Sequence, residues 1–134
     1  MSGGRHDPQE AQAVTHPVAL LLSHFGDAFN GQRVDEMARC YTDGFAAVVN
    51  GAFVDRAPYL ESSVQLLAAG YRDIRFALRQ CRDLGADMFL ADGTTFVIDP
   101  EGVERWSIFS ILCVDEGQGL QFSYTHSSMP VPVS

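Results

Sequence analysis

The chain has 134 residues, 46% of them apolar, and its seventeen acids against nine bases give a formal charge of −8. That length and composition describe one compact domain with enough apolar material for a core. All nine bases are arginine, so Schiff-base chemistry and a P-loop lysine are excluded, and the acidic balance argues against a phosphate backbone as partner.

Residues 1–13 read as a flexible segment or short helix, since Asp7-Pro8-Gln9-Glu10 offers an Asp cap, a Pro at the first helical position and a Glu at the third. No basic stretch leads into a long apolar run, so neither a signal peptide nor a membrane span is expected. A helix is predicted from Pro17 to Asn30, with Val18, Leu21, Leu22, Phe25, Ala28 and Phe29 on one stripe and Asn30-Gly31 as a left-handed stop. A second, Val34 to Tyr41, carries Val34, Met37, Ala38 and Tyr41 at helical spacing. Phe45 to Asn50 reads as a strand, Asn50-Gly51 as a turn, and Asp55 to Ala69 as a third helix with Gly70 as its stop.

Beyond Gly70 the period falls to two, which predicts strands near 72–84, 87–98, 103–115 and 119–129. Helices first and a meander second make an α+β domain over residues 14–130, with 131–134 as a tail. Cys40, Cys81 and Cys113 are odd in number, form no C-x-x-C pair and lie in apolar stretches, which points to free thiols and a cytoplasmic location. Four histidines show no metal-ligand spacing, so no metal is expected.

Strict alternation in the last strand puts Leu120, Phe122, Tyr124, His126 and Ser128 on one face, so Tyr124 and His126 point toward the core. The preceding strand is apolar on both sides, Trp106, Ile108, Leu112 and Val114 on one and Phe109, Ile111 and Cys113 on the other. The helices cover one face only, so the outer face is expected to receive a second copy, as a homodimer.

Ala28-Phe-Asn-Gly31 followed by Asp35 to Tyr41 and Asp43-Gly44, the Trp106 strand, and the ending Phe122-Ser-Tyr-Thr-His-Ser-Ser-Met-Pro130 resemble the nuclear transport factor 2-like superfamily. The resemblance is to its SnoaL-like branch in particular, and to the related association domain of calcium/calmodulin-dependent kinase II. It implies a cone-shaped, cystatin-like roll: three N-terminal helices packed on a strongly curved antiparallel sheet around an apolar pocket. It also implies an apolar pocket, and a small hydrophobic ligand is expected in it. With no metal-ligand spacing, an acidic charge and no long apolar run, no metal or nucleotide cofactor, no nucleic acid and no membrane are expected. The superfamily holds isomerases, lyase-type dehydratases and polyketide cyclases beside noncatalytic pockets and assembly hubs, so fold alone does not choose among them.

Ketosteroid isomerase-like members use a Tyr on the first helix, an Asp base on the first strand and a protonated Asp on the fourth. Aligned through Asn30-Gly31, those positions fall on Phe25, on Val49 or Asn50, and near Ser110, and none supplies the group. The proton-transfer candidates left are His126 as base, Tyr124 as hydrogen-bond donor, and Asp92 or His24 as the second group. His126 places an imidazole, the general acid-base side chain, on the core-facing side, and Asp92 interrupts an apolar strand, where burial would raise its pKa. Phe25, Tyr41, Asn50, Tyr59, Trp106 and Ser110 are the expected ligand-binding residues. The competing reading is a noncatalytic binding or dimerisation module.

Overall fold

The computed structural model describes residues 16–128 and 131–132; the Asp7-Pro8 helix start lies outside them. Helix α1 spans Pro17–Asn30, and the imidazole Nδ1 of His16 accepts from the amide of Val18 at 3.0 Å to cap it. Its buried stripe is the predicted one with Gly26 added. The left-handed residue after it is Gln32, with φ 58°, while Gly31 keeps φ −87°. Helix α2, Val34–Arg39, stops two residues short of the expected end because Tyr41 opens strand β1, Tyr41–Val49. A tight turn through Asn50 and Gly51, both at positive φ, leads to β2, Ala52–Asp55. Helix α3, Arg56–Ala69, ends on a left-handed Gly70 as predicted.

The remaining strands are β3 (Arg72–Gly85), β4 (Met88–Ile98), β5 (Glu104–Asp115), β6 (Leu120–Ser127) and β7 (Val131–Pro132). They form one curved sheet in the order β2-β1-β6-β5-β4-β3, with β7 paired to β5. One pairing departs from the antiparallel expectation: β6 lies parallel to β1, which the long intervening chain permits. Helix α1 packs across the inner face, and Asn30 ties its end to the β3 edge by accepting from the amide of Ile74 at 2.8 Å and donating to its carbonyl at 3.1 Å.

Two irregularities decide which way side chains point. In β6, Cys113 pairs with Phe122 and Leu112 with Tyr124, so Ser123 is an extra residue with no partner of its own. In β3, Leu78 pairs with Gly93 and Gln80 with Asp92, leaving Arg79 as the extra residue. Arg82 consequently joins Arg75 and Arg79 on the outer face, where alternation alone grouped only Arg75 with Arg79.

Asp99, 2% exposed, closes the β4–β5 turn. One carboxylate oxygen accepts from the amides of Glu101 and Val103 at 2.9 Å each, and the other accepts from Arg105 Nε at 2.7 Å. The Arg105 guanidinium, then the Val103 and Glu101 amides, hold its pKa below the ordinary value. A depressed folded pKa contributes stability that is full above the unfolded value near ~3.9 and fades as pH falls through the folded one. Asp99→Ala should therefore lower the melting temperature clearly at pH 7 and by much less at pH 2.5; an equal loss at both would show that the charge is not what matters.

Candidate functional site

Between α1, α3 and the inner face of the sheet lies a cavity of about 550 Å³. Its wall is built from period-3.6 residues of α1 (Leu22, Phe25, Phe29) and from alternate residues of the strands. Helix α3 supplies the remaining side through Tyr59, Ser62, Ser63, Gln65 and Leu66. No residue of that helix is fully buried, but Tyr59, Leu60, Leu66 and Leu67 pack partly against the core beside the cavity.

One end is aromatic. Tyr41 stands edge-on to Phe25, Phe45 and Tyr59 at ring-centroid distances of 5.7, 4.6 and 5.7 Å, and Phe122 closes on it at 5.3 Å. Burial pushes the Tyr41 hydroxyl well above its ordinary pKa; the neighbouring Tyr59 and Cys40 add to this and Arg56 opposes it. Burial also pushes Tyr59 up to about 12, against a hydrogen bond with Ser127. Both phenols thus stay protonated through the neutral range and can donate to an acceptor.

The sheet contributes hydroxyls. Thr95 pairs across strands with Ser107, Ser127 with Phe109, and Thr125 with Ile111, and all four hydroxyl residues line the cavity. Thr125 Oγ1 already donates to the Ser110 carbonyl at 3.2 Å. The exposed members of the lining, Asn50, Ser62, Gln65 and Ser128, form a neutral polar rim. Among the described lining residues there is no Asp, Glu, His, Lys, Arg or Cys. These residues can enclose apolar surface and hydrogen-bond a neutral polar group, and among them no side chain exchanges protons near pH 7.

Of the residues singled out from sequence, Phe25, Tyr41, Asn50 and Tyr59 line the cavity. His126 and Tyr124 do not: the extra Ser123 shifts the alternation, so Thr125 and Ser127 turn inward while Tyr124 (39% exposed) and His126 face outward. Ser110 and Trp106 are outward too, in the alternate set to Ser107, Phe109 and Ile111. Asp92 corrects a second expectation. It lies on the outer face, its carboxylate accepts from Arg79 Nε and Nη2 at 2.8 and 2.7 Å, and these bonds hold its pKa below the ordinary value, outweighing the rise from burial. His24 is on the solvent side of α1. The inward place of Ser107 was legible from its spacing to Phe109 and Ile111; that of Thr125 and Ser127 was hidden by the bulge.

No protein-family model matches the chain, and no curated protein matches it by sequence. Solved structures match its fold. A protein of unknown function from Shewanella oneidensis, described as nuclear transport factor 2-like, superposes with a TM-score of 0.73 at 16% identity, covering 86% of this chain and 98% of its own. A ketosteroid isomerase-like protein from Erwinia carotovora gives 0.69 at 15% identity over 90% and 98%. A candidate dehydratase of the same fold family from Streptomyces avermitilis gives 0.69 at 16% identity over 92% and 99%. The chain has the nuclear transport factor 2-like fold. No helix among the described residues is long and apolar enough to cross a membrane.

Proposed function

We propose that this chain of nuclear transport factor 2-like fold encloses one neutral, largely apolar small molecule bearing a carbonyl or hydroxyl acceptor, and that it binds this molecule without converting it. The observation that carries the reading is the composition of the cavity wall: aromatic and aliphatic surface, hydroxyls and amides, and no charged side chain among the described lining residues. An ionised ligand group would be desolvated there with no counter-charge, which is costly, whereas a ketone or ester oxygen could accept from Tyr41 or Tyr59. Apolar rings would fit against Phe25, Phe45 and Phe122.

An acid/base enzyme of isomerase, cyclase or lyase type is the second reading, favoured by the ketosteroid isomerase-like and dehydratase-like company of the fold. Tyr41 and Tyr59 would polarise the substrate carbonyl in it. His126, Tyr124, Asp92 and His24, the groups expected to move protons, lie outside the cavity lining, so the base would have to come from elsewhere. We also propose that two copies associate through the outer sheet face, where Ile108, Leu90 and Tyr124 stand exposed.

A thermal-shift screen with hydrophobic ketones, steroids and polyketide fragments tests the first reading. A ligand at a hundred times its Kd adds ~2.7 kcal/mol of stability. Neutral ketones should raise the melting temperature, and their carboxylate analogues should not. Tyr59→Phe should weaken ketone binding ~3- to 10-fold, the usual worth of one hydrogen bond. Equal binding of carboxylates, or no shift with any neutral ligand, would sink the reading. Solvent deuterium appearing next to the carbonyl of a bound ketone would move the conclusion to the enzyme.

A further inference from the structure

The strand register aligns six outer-face residues in one row across the whole sheet. Asp55 on β2 pairs with Ala46 on β1, Ala46 with Tyr124 on β6, Tyr124 with Leu112 on β5, Leu112 with Leu90 on β4, and Leu90 with Arg82 on β3. The row runs acid, four apolar residues, base. Tyr124 and Leu90 are exposed, at 39% and 42%, and neither Asp55 nor Arg82 makes an ion pair with a described residue. The acid near Arg82, Asp92, is already held in a two-point bond by Arg79.

Such a row is complementary to itself only when reversed. We propose that a second copy of this chain docks on it in antiparallel sense, about a two-fold axis passing between Tyr124 and Leu112, so that Arg82 of each copy meets Asp55 of the partner subunit. The row has three strands on either side of that axis, so with strands ~4.8 Å apart both charged ends lie ~12 Å from it. A two-fold rotation therefore carries one end onto the other. Packed sheet faces stand ~10 Å apart, a gap that an extended arginine and an aspartate bridge together. The next row, Phe53, Val48, His126, Ser110, Asp92 and Gln80, has no such symmetry and flanks the contact, apolar at its β2 and β1 end and polar from β6 to β3.

This inference rests on the outer face being the subunit contact and narrows that reading to one register. Sedimentation measurements on the full chain separate the two. The wild type should dimerise at micromolar concentration. Arg82→Glu and Asp55→Arg should each raise the dimer Kd ~10-fold or more, because each removes two symmetry-related contacts and opposes like charges, and the double swap should restore it to within ~3-fold. Asp55 makes no side-chain cap bond to α3, so its replacement leaves that helix start intact. Should a swapped variant unfold by circular dichroism, the neutral pair Arg82→Gln and Asp55→Asn serves instead, and the double variant should then be no weaker than either single one. A wild-type dimer that Leu112→Glu disrupts while the charge swaps leave Kd unchanged would overturn the register and keep the face. A wild type that stays monomeric would overturn both.

Discussion

Gly93→Ala should lower the stability of the domain by about 3 kcal/mol or more, a cost outside the range of ordinary surface changes. Gly93 lies on the inner side of β4 opposite Leu78, where β3 is about to accommodate the extra Arg79. A Cβ on it would overlap the carbonyl oxygen of Ala77 and stand 3.0 Å from the Cα of Leu78. Both are backbone atoms of the neighbouring strand, so relief requires β3 itself to move and the β3–β4 ladder to lengthen its hydrogen bonds. Gly44→Ala is the control, since a Cβ there meets nothing within 4 Å, and it should change stability by less than ~0.5 kcal/mol. Urea denaturation of the two variants checks this; equal midpoints would mean that β3 does not approach Gly93 closely.

Phe25→Ala should cost ~3–5 kcal/mol and also change what the cavity accepts. Phe25 is buried on α1 and touches four other rings, Phe29, Tyr41, Phe76 and Phe122, at centroid distances between 5.7 and 6.4 Å. It therefore joins the helix to β1, β3 and β6 at once, and its removal opens a void that adjoins the cavity. Leu20→Ala, on the same helix but 58% exposed, should leave the urea midpoint almost unchanged. The variant should admit bulkier ketones than the wild type in the thermal-shift screen. A small stability loss, comparable to that of Leu20→Ala, would show that α1 is anchored by other residues.

Helix α1 was legible from Pro17 to Asn30 because a 3.6-residue stripe and its flanking residues are local properties. The Asn50-Gly51 turn and the Gly70 stop were legible because left-handed backbone is inexpensive for those residue types. The alternation of β5 also held, placing Ile108 and Ser110 opposite to Phe109 and Ile111. The same rule misplaced Tyr124 and His126 because one unpaired residue, Ser123, reverses everything beyond it. Asp92 was misread for a related reason: its partner Arg79 is thirteen residues away and reaches it only through the strand pairing.

The sequence by itself determined the order of the helices and long strands, the limits of α1, the α+β class and the buried face of α1, since each depends on neighbours a few residues apart. Tertiary structure decided which residues of β6 meet the cavity, and so which polar groups that strand gives it. Bulges and register are set by hydrogen bonds between strands distant along the chain, and their effect on facing is all or none. That is why the cavity wall holds Thr125 and Ser127 in place of His126 and Tyr124, and why its hydrogen-bonding groups are neutral. The same register lines up Asp55 and Arg82 at opposite ends of one outer row, an arrangement that spacing along the chain does not encode.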